Sequence, residues 1–585
     1  MFHTGRRLGN ARGISSVQPL PMNGQDDGTC GPSGKSLLVE SVSVRSSTQQ
    51  PHPLSVKSFF YIRGNRAACM NVVTMGLPAI VLAFLAVRLR LDELLKASFW
   101  FDEACSWRIS QFSFPDMWDA IGRDAHPPVF YMLQSFWQQI AGTTVASART
   151  LSLLCGLGSV AAMLFLANAC ARNEGVSLTQ RSHGVTVWLA VFLLALSPLQ
   201  ITYSQQARPY ALCVLLTLLA SAELMLAMER PAKWERWMAF GITGGLLSLT
   251  HYAGLFSLLG LFLFGVMETL LDCRGRGNPR DNAHRWLGLL ACLLLIQACW
   301  WPWLPIFQHQ CQRANSQFWL SPFTWEDWRE ITAGAVVQNG SGEHSEWGSA
   351  VWILWLGIPI LSALLCGRSG RLVACGAGIP LLGLTAYSLL IRNLLEMRML
   401  CAAQGMLCLG VALLVGRIRV FSLQALCLLA LGVVALKNCG EYSKERNWHG
   451  NHAGLQQAVD LLNRIRQADE PVLVCSPFFF VSLVTQLQHP EQVYVVYSSD
   501  PRQDVLGGPP LRPEDYEPVE ALVASLPKTI WTVDAGQLFG RPGQVRIPEQ
   551  YIPIRQTRFA ESFGIPAEII IRGYRLSSPP LAPVP

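Results

Sequence analysis

The chain carries little charge for its length. Asp, Glu, Lys and Arg make up 15% of its 585 residues, whereas 51% of the residues are hydrophobic. A soluble protein carries about 25% charged residues, so much of the polar surface that a soluble chain of this size needs is missing. The deficit predicts that most of the chain faces lipid. Its length then reflects one bundle of membrane spans with additions, and not several soluble domains.

The sequence also lacks the cysteine and histidine patterns of metal-binding or disulfide-linked domains. Its 17 cysteines are scattered, many of them within apolar runs, and they form no Cys-x-x-Cys pair. We therefore interpret them as small buried hydrophobic residues. The basic residues lie mostly in short loops between apolar runs, which indicates membrane topology and not a nucleic-acid-binding surface. No nucleic-acid partner is expected.

Apolar runs divide the chain into parts. Residues 1–69 are rich in Gly, Ser, Arg and Gln without an apolar run, which predicts a disordered tail or residues upstream of the true start. Residues 70–440 hold eleven candidate spans, each near the roughly 20 residues that cross a bilayer. The candidates are about 71–90, 147–169, 185–203, 209–228, 236–250, 254–271, 286–304, 348–365, 372–391, 400–415 and 420–437. The fold class predicted is an α-helical polytopic membrane protein with about 11 spans.

Residues 441–585 differ in kind from the spans. The short β-rich runs "PVLVCSP" and "VYVVYSS" flank a helix-like segment, and "TIWTVDAG" and "AEIIIRGYRL" indicate further strands. These runs predict a small soluble α/β domain that ends in a Pro-rich tail.

Basic residues predict the orientation in the membrane. Loops that contain Arg172, Arg230, Arg285, Arg368 and Arg417 all fall on one side, and such loops stay cytoplasmic. With a cytoplasmic N-terminus, the outer side receives 91–146, 204–208, 251–253, 305–347, 392–398 and the C-terminal domain. This alternation requires that residues 127–142 do not cross the membrane, so we predict a juxtamembrane or re-entrant helix there.

One membrane boundary collects polar residues from separate parts of the chain. An acidic pair in "FWFDEACSW" is the most conspicuous of them. The full set is Asp102, Glu103, Asp124, His126, Arg149, Arg208, His251, Tyr252 and Arg398. Ionisable groups at membrane depth are costly, and this makes them candidates for function.

Several motifs occur in an order that resembles a known family. They are "FDEACSW", "DAHPPVFYMLQSFW", "SARTLSLLCGLGSV", "LSPLQITYSQQARPYAL", "LTHYAGLF" and "EMRMLCAAQGMLCLG". Together they resemble the GT-C class of bacterial integral-membrane glycosyltransferases (glycosyltransferase family 39-like), the relatives of protein O-mannosyltransferases and the lipid A aminoarabinose transferase. The resemblance covers about 70–440.

The resemblance implies a polyprenyl-phosphate-linked sugar donor and transfer at the outer face of the bacterial inner membrane. The acceptor hydroxyl belongs to a protein, a lipid or a polysaccharide. Asp102 takes the family's role of general base, and a carboxylate beside the membrane can accept the acceptor's proton. Glu103 is expected to support Asp102 or to hold a ligand. The alternative for both residues is capping of an interfacial helix, since acidic side chains favour a helix N-terminus.

Arginines are the predicted phosphate ligands. Arg208, in "SQQARPY", is the first candidate because a guanidinium makes bidentate, charge-assisted contacts to phosphate. The alternative is an anchor whose head group reaches toward the lipid head groups. Arg398 has the same two interpretations, and Arg149 and Tyr252 complete the predicted donor-binding set.

A third group is predicted to contact the leaving phosphate or a metal ion. It consists of Asp124, His126 and His251. In the structural alternative, Pro127 and Pro128 only start a helix, since proline suits the first helical turn. "AHPP" stands where the aminoarabinose enzymes have Glu-Lys-Pro-Pro, so a divalent metal cofactor stays open.

Two other functions remain open from the sequence alone. A lipid-linked glycan transporter places ionisable residues near the membrane midplane and shows internal repeats, and neither is visible here. A glycan polymerase or ligase would use a diphosphate-linked donor and would release a diphosphate carrier.

Overall fold

Apolar helices form most of the described structure. The computed structural model describes residues 66–92, 94, 99–173, 180–275, 278–316, 321–337, 348–451, 454–496, 510–538, 541–562 and 566–577. The predicted tail before residue 66, part of the predicted outer loop 305–347 and the Pro-rich end lie outside these ranges. Residues 70–585 belong to one structural unit.

The first eighteen helices follow one another from residue 66 to residue 451. They are α1 Arg66–Leu91, α2 Phe101–Ile109, α3 Phe114–Arg123, α4 Val129–Ala141, α5 Val145–Asn173, α6 Gln180–Leu196, α7 Pro198–Ser204, α8 Tyr210–Glu229, α9 Trp234–Ser248, α10 Ala253–Arg274, α11 Pro279–Trp300, α12 Leu304–Ser316, α13 Trp325–Val336, α14 Gly348–Leu365, α15 Gly367–Val373, α16 Ile379–Leu390, α17 Cys401–Gly416 and α18 Phe421–Asn451. A π-helical turn, Ala374–Gly378, joins α15 to α16.

Each of the eleven predicted span segments overlaps a helix or a pair of helices. Within the described part of the chain, seven helices are long and apolar enough to cross a membrane, and the bent pair α6–α7 would make eight. The 58° bend of this pair falls at Ser197, where Pro198 starts a new helix inside the predicted span 185–203. Three predicted spans correspond to helices outside these seven or eight: α9, which has only 15 residues, α1 and α14. The count of about 11 spans therefore remains a prediction.

Helix α4 occupies the segment that we predict not to cross. Its 13 residues extend for roughly 20 Å, which is too short for a bilayer. Phe136 and Ile140 are exposed on one face, whereas Phe130 and Tyr131 are buried on the other. This amphipathic pattern suits a helix that lies along the membrane surface.

Two loops predicted to share one side of the membrane meet at one end of the bundle. Glu268 accepts hydrogen bonds from Arg371 and from Nε of Arg368, the latter at 3.0 Å. Asp272, one turn further along α10, pairs with Arg285 and with Nη2 of Arg368 at 3.1 Å. The contacts place the loops before α11 and before α15 on the same side, as the basic residues predict.

A sheet and short helices follow the bundle. The elements are α19 Gly454–Ile465, β1 Val472–Val474, α20 Pro477–Val484, β2 Val493–Val495, α21 Val519–Ala524, β3 Thr529–Leu538, β4 Arg541–Gly543, β5 Tyr551–Ser562 and β6 Pro566–Leu576. The strand order is β2-β1-β3-β6-β5, with β4 paired to β3. Strands β1, β2 and β3 pair in parallel, and the remaining pairs are antiparallel. The four predicted strands are present; β4 and β5 were not predicted. α18 runs through the predicted domain boundary at residue 440.

The C-terminal sheet domain packs against α2. The rings of Phe101 in α2 and Phe478 in α20 lie 4.6 Å apart. Buried Ala104 and Cys105 of α2 belong to the same hydrophobic cluster as Val472 of β1. The helix that begins with the acidic pair is therefore held between the bundle and the C-terminal domain.

Candidate active site

Helix α2 begins at Phe101, immediately before the acidic pair. Its helical geometry directs the two carboxylates to different sides. Trp100 is extended (φ −81°, ψ 167°), so Asp102 and Glu103 fall in the first helical turn. Consecutive residues of a helix point about 100° apart. The Asp102 side chain keeps 24% of its surface exposed and the Glu103 side chain only 1%. Their chemical environments are accordingly different.

Asp102 lies between two arginines from distant parts of the chain. Its Oδ2 is 3.1 Å from Nη1 of Arg398 and 3.7 Å from Nη2 of Arg208. Arg398 precedes α17, and Arg208 lies between α7 and α8. The structure thus brings the predicted base and the two leading phosphate candidates together.

Glu103 forms a buried ion pair with Arg149. Its two carboxylate oxygens accept hydrogen bonds from Nε and Nη2 of Arg149 at 2.8 and 2.7 Å. The backbone N–H of Ala207 donates to the same carboxylate at 2.8 Å, and Arg149 also donates to the carbonyl of Leu94. Both side chains direct their charge at each other and join α2 to α5 and to the residue before Arg208.

Arg208 contacts three other residues of the site. Its Nη1 donates to Oγ of Ser106 at 2.8 Å and to the carbonyl of Asp102 at 3.1 Å, and its Nη2 lies 3.0 Å from Nε2 of His126. Only 3% of the residue is exposed. These contacts point the guanidinium into the site, whereas an anchor would direct it toward lipid head groups.

The short segment between α3 and α4 supplies Asp124 and His126. Oδ2 of Asp124 lies 3.1 Å from Nδ1 of His126 and accepts a hydrogen bond from the hydroxyl of Tyr131. Pro127 and Pro128 directly precede α4, and the N–H of Val129 donates to the carbonyl of Leu249 at 3.0 Å. Both prolines therefore precede α4, with Pro128 at its N-cap, which agrees with the structural alternative for the prolines. His126 lies three residues before the helix.

Burial and the neighbouring charges determine the protonation of Asp124 and His126. Burial favours the neutral acid, but His126, Arg208 and the Tyr131 hydroxyl together lower the pKa of Asp124. Burial and the charge of Arg208 lower the pKa of His126 below its ordinary value of 6.5. A neutral His126 then donates from Nδ1 to Asp124 and accepts from Arg208 at Nε2. Both ring nitrogens are engaged.

The turn between α9 and α10 holds His251 and Tyr252, and the two point to different partners. The His251 ring lies 5.2 Å from the rings of both His126 and Tyr210, which places it in the site. The Tyr252 hydroxyl bonds to Gln310 and accepts from Nε1 of Trp303 at 3.0 Å. Tyr252 therefore lies in an aromatic cluster beside the site, and its predicted donor contact stays a prediction.

The arrangement does not fit a divalent metal ion. The nitrogens of His126 and the carboxylate of Asp124 are engaged with each other, with Tyr131 and with the Arg208 cation. Within the part of the chain that the structure describes, no three His, Cys, Asp or Glu side chains are grouped to hold a metal. The Arg208 guanidinium, 3.0 Å from Nε2 of His126, already engages the ring nitrogen that would otherwise be open to a metal ion.

Sequence reasoning missed four members of the site. Ser106 binds Arg208, Tyr131 binds Asp124, Glu396 pairs with Arg398, and the Tyr210 ring lies under both arginines at 5.9 and 6.0 Å. Ser106 could have been found, because it lies four residues after Asp102 on the same helical face. Tyr131 and Tyr210 were inside quoted motifs but carry no charge.

Comparison with solved structures relates this bundle to known proteins. ArnT from Cupriavidus metallidurans bound to undecaprenyl phosphate aligns with a TM-score of 0.53 and 13% identity, over 84% of this chain and 97% of ArnT. The chain has a GT-C fold. ArnT in the apo state aligns with a TM-score of 0.51 and 15% identity, over 80% of this chain and 93% of ArnT. No protein-family profile and no curated protein matches the sequence.

The GT-C fold confirms the architecture that the ordered motifs imply. The resemblance was predicted over about 70–440, and the alignment extends over most of the chain, 84% of it. At this level of identity the alignment establishes the fold and leaves the chemistry to the residues of the site.

Proposed function

We propose that this protein is a glycosyltransferase that moves a sugar from a polyprenyl-phosphate donor to an acceptor hydroxyl at the outer membrane surface. The observation that carries the proposal is Asp102 paired with Arg398 and beside Arg208, at one end of a GT-C bundle. The ArnT structure of the same fold contains undecaprenyl phosphate, a carrier of the proposed kind.

The proposed reaction uses these residues as follows. Asp102 accepts the proton of the acceptor hydroxyl while that oxygen bonds to the anomeric carbon. The bond from this carbon to the phosphate oxygen breaks, and the phosphate leaves with the electron pair. Arg208 and Arg398 stabilise the departing charge, and guanidinium groups do this well where water is excluded. Asp124 and His126 hold Arg208 in place.

Two further residues and the membrane position belong to the proposal. Glu103 and Arg149 orient α2 and the segment before Arg208, and they act on the reaction only through that geometry. The site faces outward, the N-terminus is cytoplasmic, and the C-terminal domain is extracytoplasmic, in a bacterial inner membrane. The carrier's lipid chain stays in the bilayer and presents the sugar at the surface, which supplies proximity.

The test is transfer by the purified full chain in lipid nanodiscs. Polyprenyl-phosphate sugars are supplied with membrane extracts as acceptor, and the released carrier is identified by mass spectrometry. Release of a polyprenyl monophosphate together with a glycosylated acceptor supports the proposal. Release of a diphosphate carrier would instead indicate a polymerase or ligase, and sugar movement across the bilayer without carrier release would indicate a transporter.

The sugar and acceptor are identified in cells. Mass spectrometry of surface glycans and lipid-linked sugars compares cells that carry the wild-type chain with cells that carry Asp102→Asn. Asp119→Asn in α3 is the matched control, because the side chain of Asp119 is 71% exposed and its ion pair within the described part of the chain is with Arg123, four residues away.

A further inference from the structure

A small cavity lies beside Arg398. Its volume of about 10 Å³ is near the size that one water molecule or one oxygen atom of a ligand requires. The polar side chains that line it are Arg398, His251 and Tyr210, and cysteine, alanine and methionine complete the wall. Among the described residues no carboxylate lines this cavity, so its polar groups are two hydrogen-bond donors, on Arg398 and His251, and the hydroxyl of Tyr210.

The hydrogen bond at Nδ1 of His251 defines the position of its ring proton. The backbone N–H of Ala253 donates to Nδ1 at 3.0 Å, so Nδ1 carries a lone pair and the neutral ring is protonated at Nε2. Burial, with His126, Arg208 and Arg398 nearby, holds the pKa of His251 well below 6.5, and the ring stays neutral. Nε2 of His251 is therefore an N–H donor and not a metal ligand.

This donor lacks a partner among the described residues. His251 is only 4% exposed, and its Nε2 is buried without a hydrogen bond. A buried donor left unpaired destabilises the folded state, and native proteins rarely keep one without a reason. A ligand atom with a lone pair would satisfy it.

The chemistry of the lining selects an anionic oxygen. Arg398 carries a positive charge that Asp102 and Glu396 pair from outside the cavity, and neither its guanidinium nor the Nε2–H of His251 can accept a hydrogen bond. The Tyr210 hydroxyl can either donate or accept. The apolar remainder of the wall strengthens the attraction between these donors and a negative atom. A phosphate oxygen matches both the size of the cavity and its donors, and guanidinium–phosphate contacts are among the stronger ones.

We propose that this cavity is the subsite for one anionic oxygen of a phosphate, held by the Nε2–H of His251 and the guanidinium of Arg398. The assignment of that phosphate to the sugar donor rests on the proposed function. His251 is then a substrate-binding residue that acts as a neutral donor. Of the two contacts that the sequence leaves open for it, this is the contact to the leaving phosphate and not the contact to a metal ion.

The experiment compares two replacements of His251 in the full chain in nanodiscs. His251→Gln places an amide N–H near the former Nε2, whereas His251→Ala removes the donor. The probes are undecaprenyl phosphate, the uncharged polyprenol of the same length, and inorganic phosphate. Their dissociation constants are measured by calorimetry. His284→Ala is the control, because His284 lies in the first two turns of α11 and, among the described residues, its hydrogen bond is to Arg280 of its own helix.

We expect His251→Ala to bind undecaprenyl phosphate about 10- to 100-fold more weakly, because it loses a hydrogen bond to a charged group. His251→Gln should retain affinity within about threefold, and polyprenol binding should not change in either variant. Unchanged affinity in His251→Ala overturns the subsite, as does a Gln variant as weak as the Ala variant. Polyprenol binding also verifies that each variant is folded.

The remaining outcomes separate this inference from the proposed function. Wild-type transfer activity with no effect of His251→Ala on phosphate binding refutes the subsite and leaves the function standing. Binding that depends on His251 without any sugar transfer supports the subsite and refutes the function. Inorganic phosphate that binds as tightly as the lipid, with the same dependence on His251, supports the subsite and assigns it to free phosphate.

Discussion

Arg108 joins the helix of the acidic pair to Asp515 of the C-terminal domain. Its Nη2 lies 2.6 and 2.5 Å from the two carboxylate oxygens of Asp515, and its Nε donates to the carbonyl of Pro510 at 3.0 Å. The guanidinium also lies 5.5 Å from the ring of Phe480. The C-terminal domain therefore holds α2 through Arg108, five residues along the helix from the Glu103–Arg149 pair.

Loss of this bridge should loosen the C-terminal domain. Asp515→Asn removes the charge and should destabilise the docked domain by about 1.5–3 kcal/mol, the range for hydrogen bonds to charged groups. The readouts are limited proteolysis of the C-terminal domain and thermal unfolding. Glu514→Gln is the control, because the side chain of Glu514 is 64% exposed and such pairs contribute little. Equal protease resistance of Asp515→Asn and wild type would argue against a bridge that holds the domain.

Asp102→Asn should abolish most transfer without loss of fold. The change preserves shape and removes the proton acceptor, so turnover should fall by roughly 10²- to 10⁴-fold. Donor binding should survive because Arg208 and Arg398 remain. Steady-state transfer and binding of undecaprenyl phosphate are measured on the same preparation. Near-normal turnover would remove Asp102 from the role of base.

Arg208 should not tolerate lysine. Arg208→Lys keeps a charge but loses the planar group that reaches Ser106 and His126 together. Donor binding should weaken in Arg208→Lys and weaken further in Arg208→Ala, with acceptor binding less affected. Arg230→Lys, at the end of α8, is the control. A Lys variant with wild-type donor affinity would leave the phosphate role without support, and Arg398 would be tested next.

Glu103 should matter first for stability. Glu103→Gln leaves Arg149 buried without its counter-charge, and breaking a buried pair costs about 3–5 kcal/mol. The double variant Glu103→Leu with Arg149→Met should lose less than Glu103→Gln, because no unpaired charge remains. Unfolding in detergent gives the comparison. If Glu103→Gln is as stable as wild type yet inactive, Glu103 acts on the substrate directly, as the sequence allows.

Cysteine labelling tests the orientation. Ser204 is 1% exposed, which makes it a poor labelling site, whereas Thr143 and Gly275 are exposed positions at the two ends of the bundle. On a cysteine-depleted background, Thr143→Cys should react with an impermeant reagent added outside. Gly275→Cys should react only after the membrane is opened. Outside labelling of Gly275→Cys would reverse the predicted orientation.

Composition and local pattern predicted the elements of this protein. Apolar length predicted eleven span segments that each overlap helices of the structure, because the cost of burying polar atoms in lipid acts on each segment separately. The number that cross the membrane remains a prediction. Strands β1, β2, β3 and β6 could also be predicted from the sequence, because each contains a run of apolar residues that is buried in the folded domain. Strand β5 was not predicted because most of its side chains are exposed, so its sequence has no buried apolar run. Its pairing with β6 defines it as a strand.

The sequence also indicated which charged residues are candidates for function, because charged groups at a membrane boundary are few and costly. Only the tertiary structure decided how they pair. Asp102 and Glu103 are neighbours in the chain, yet Asp102 forms an ion pair with Arg398 and stays partly exposed, whereas Glu103 forms a buried ion pair with Arg149. The difference depends on the direction of each side chain around α2 and on two arginines that lie 46 and 296 residues further along the chain. Coulomb attraction depends on the distance between charges in space, so the local sequence does not reveal which charges will pair.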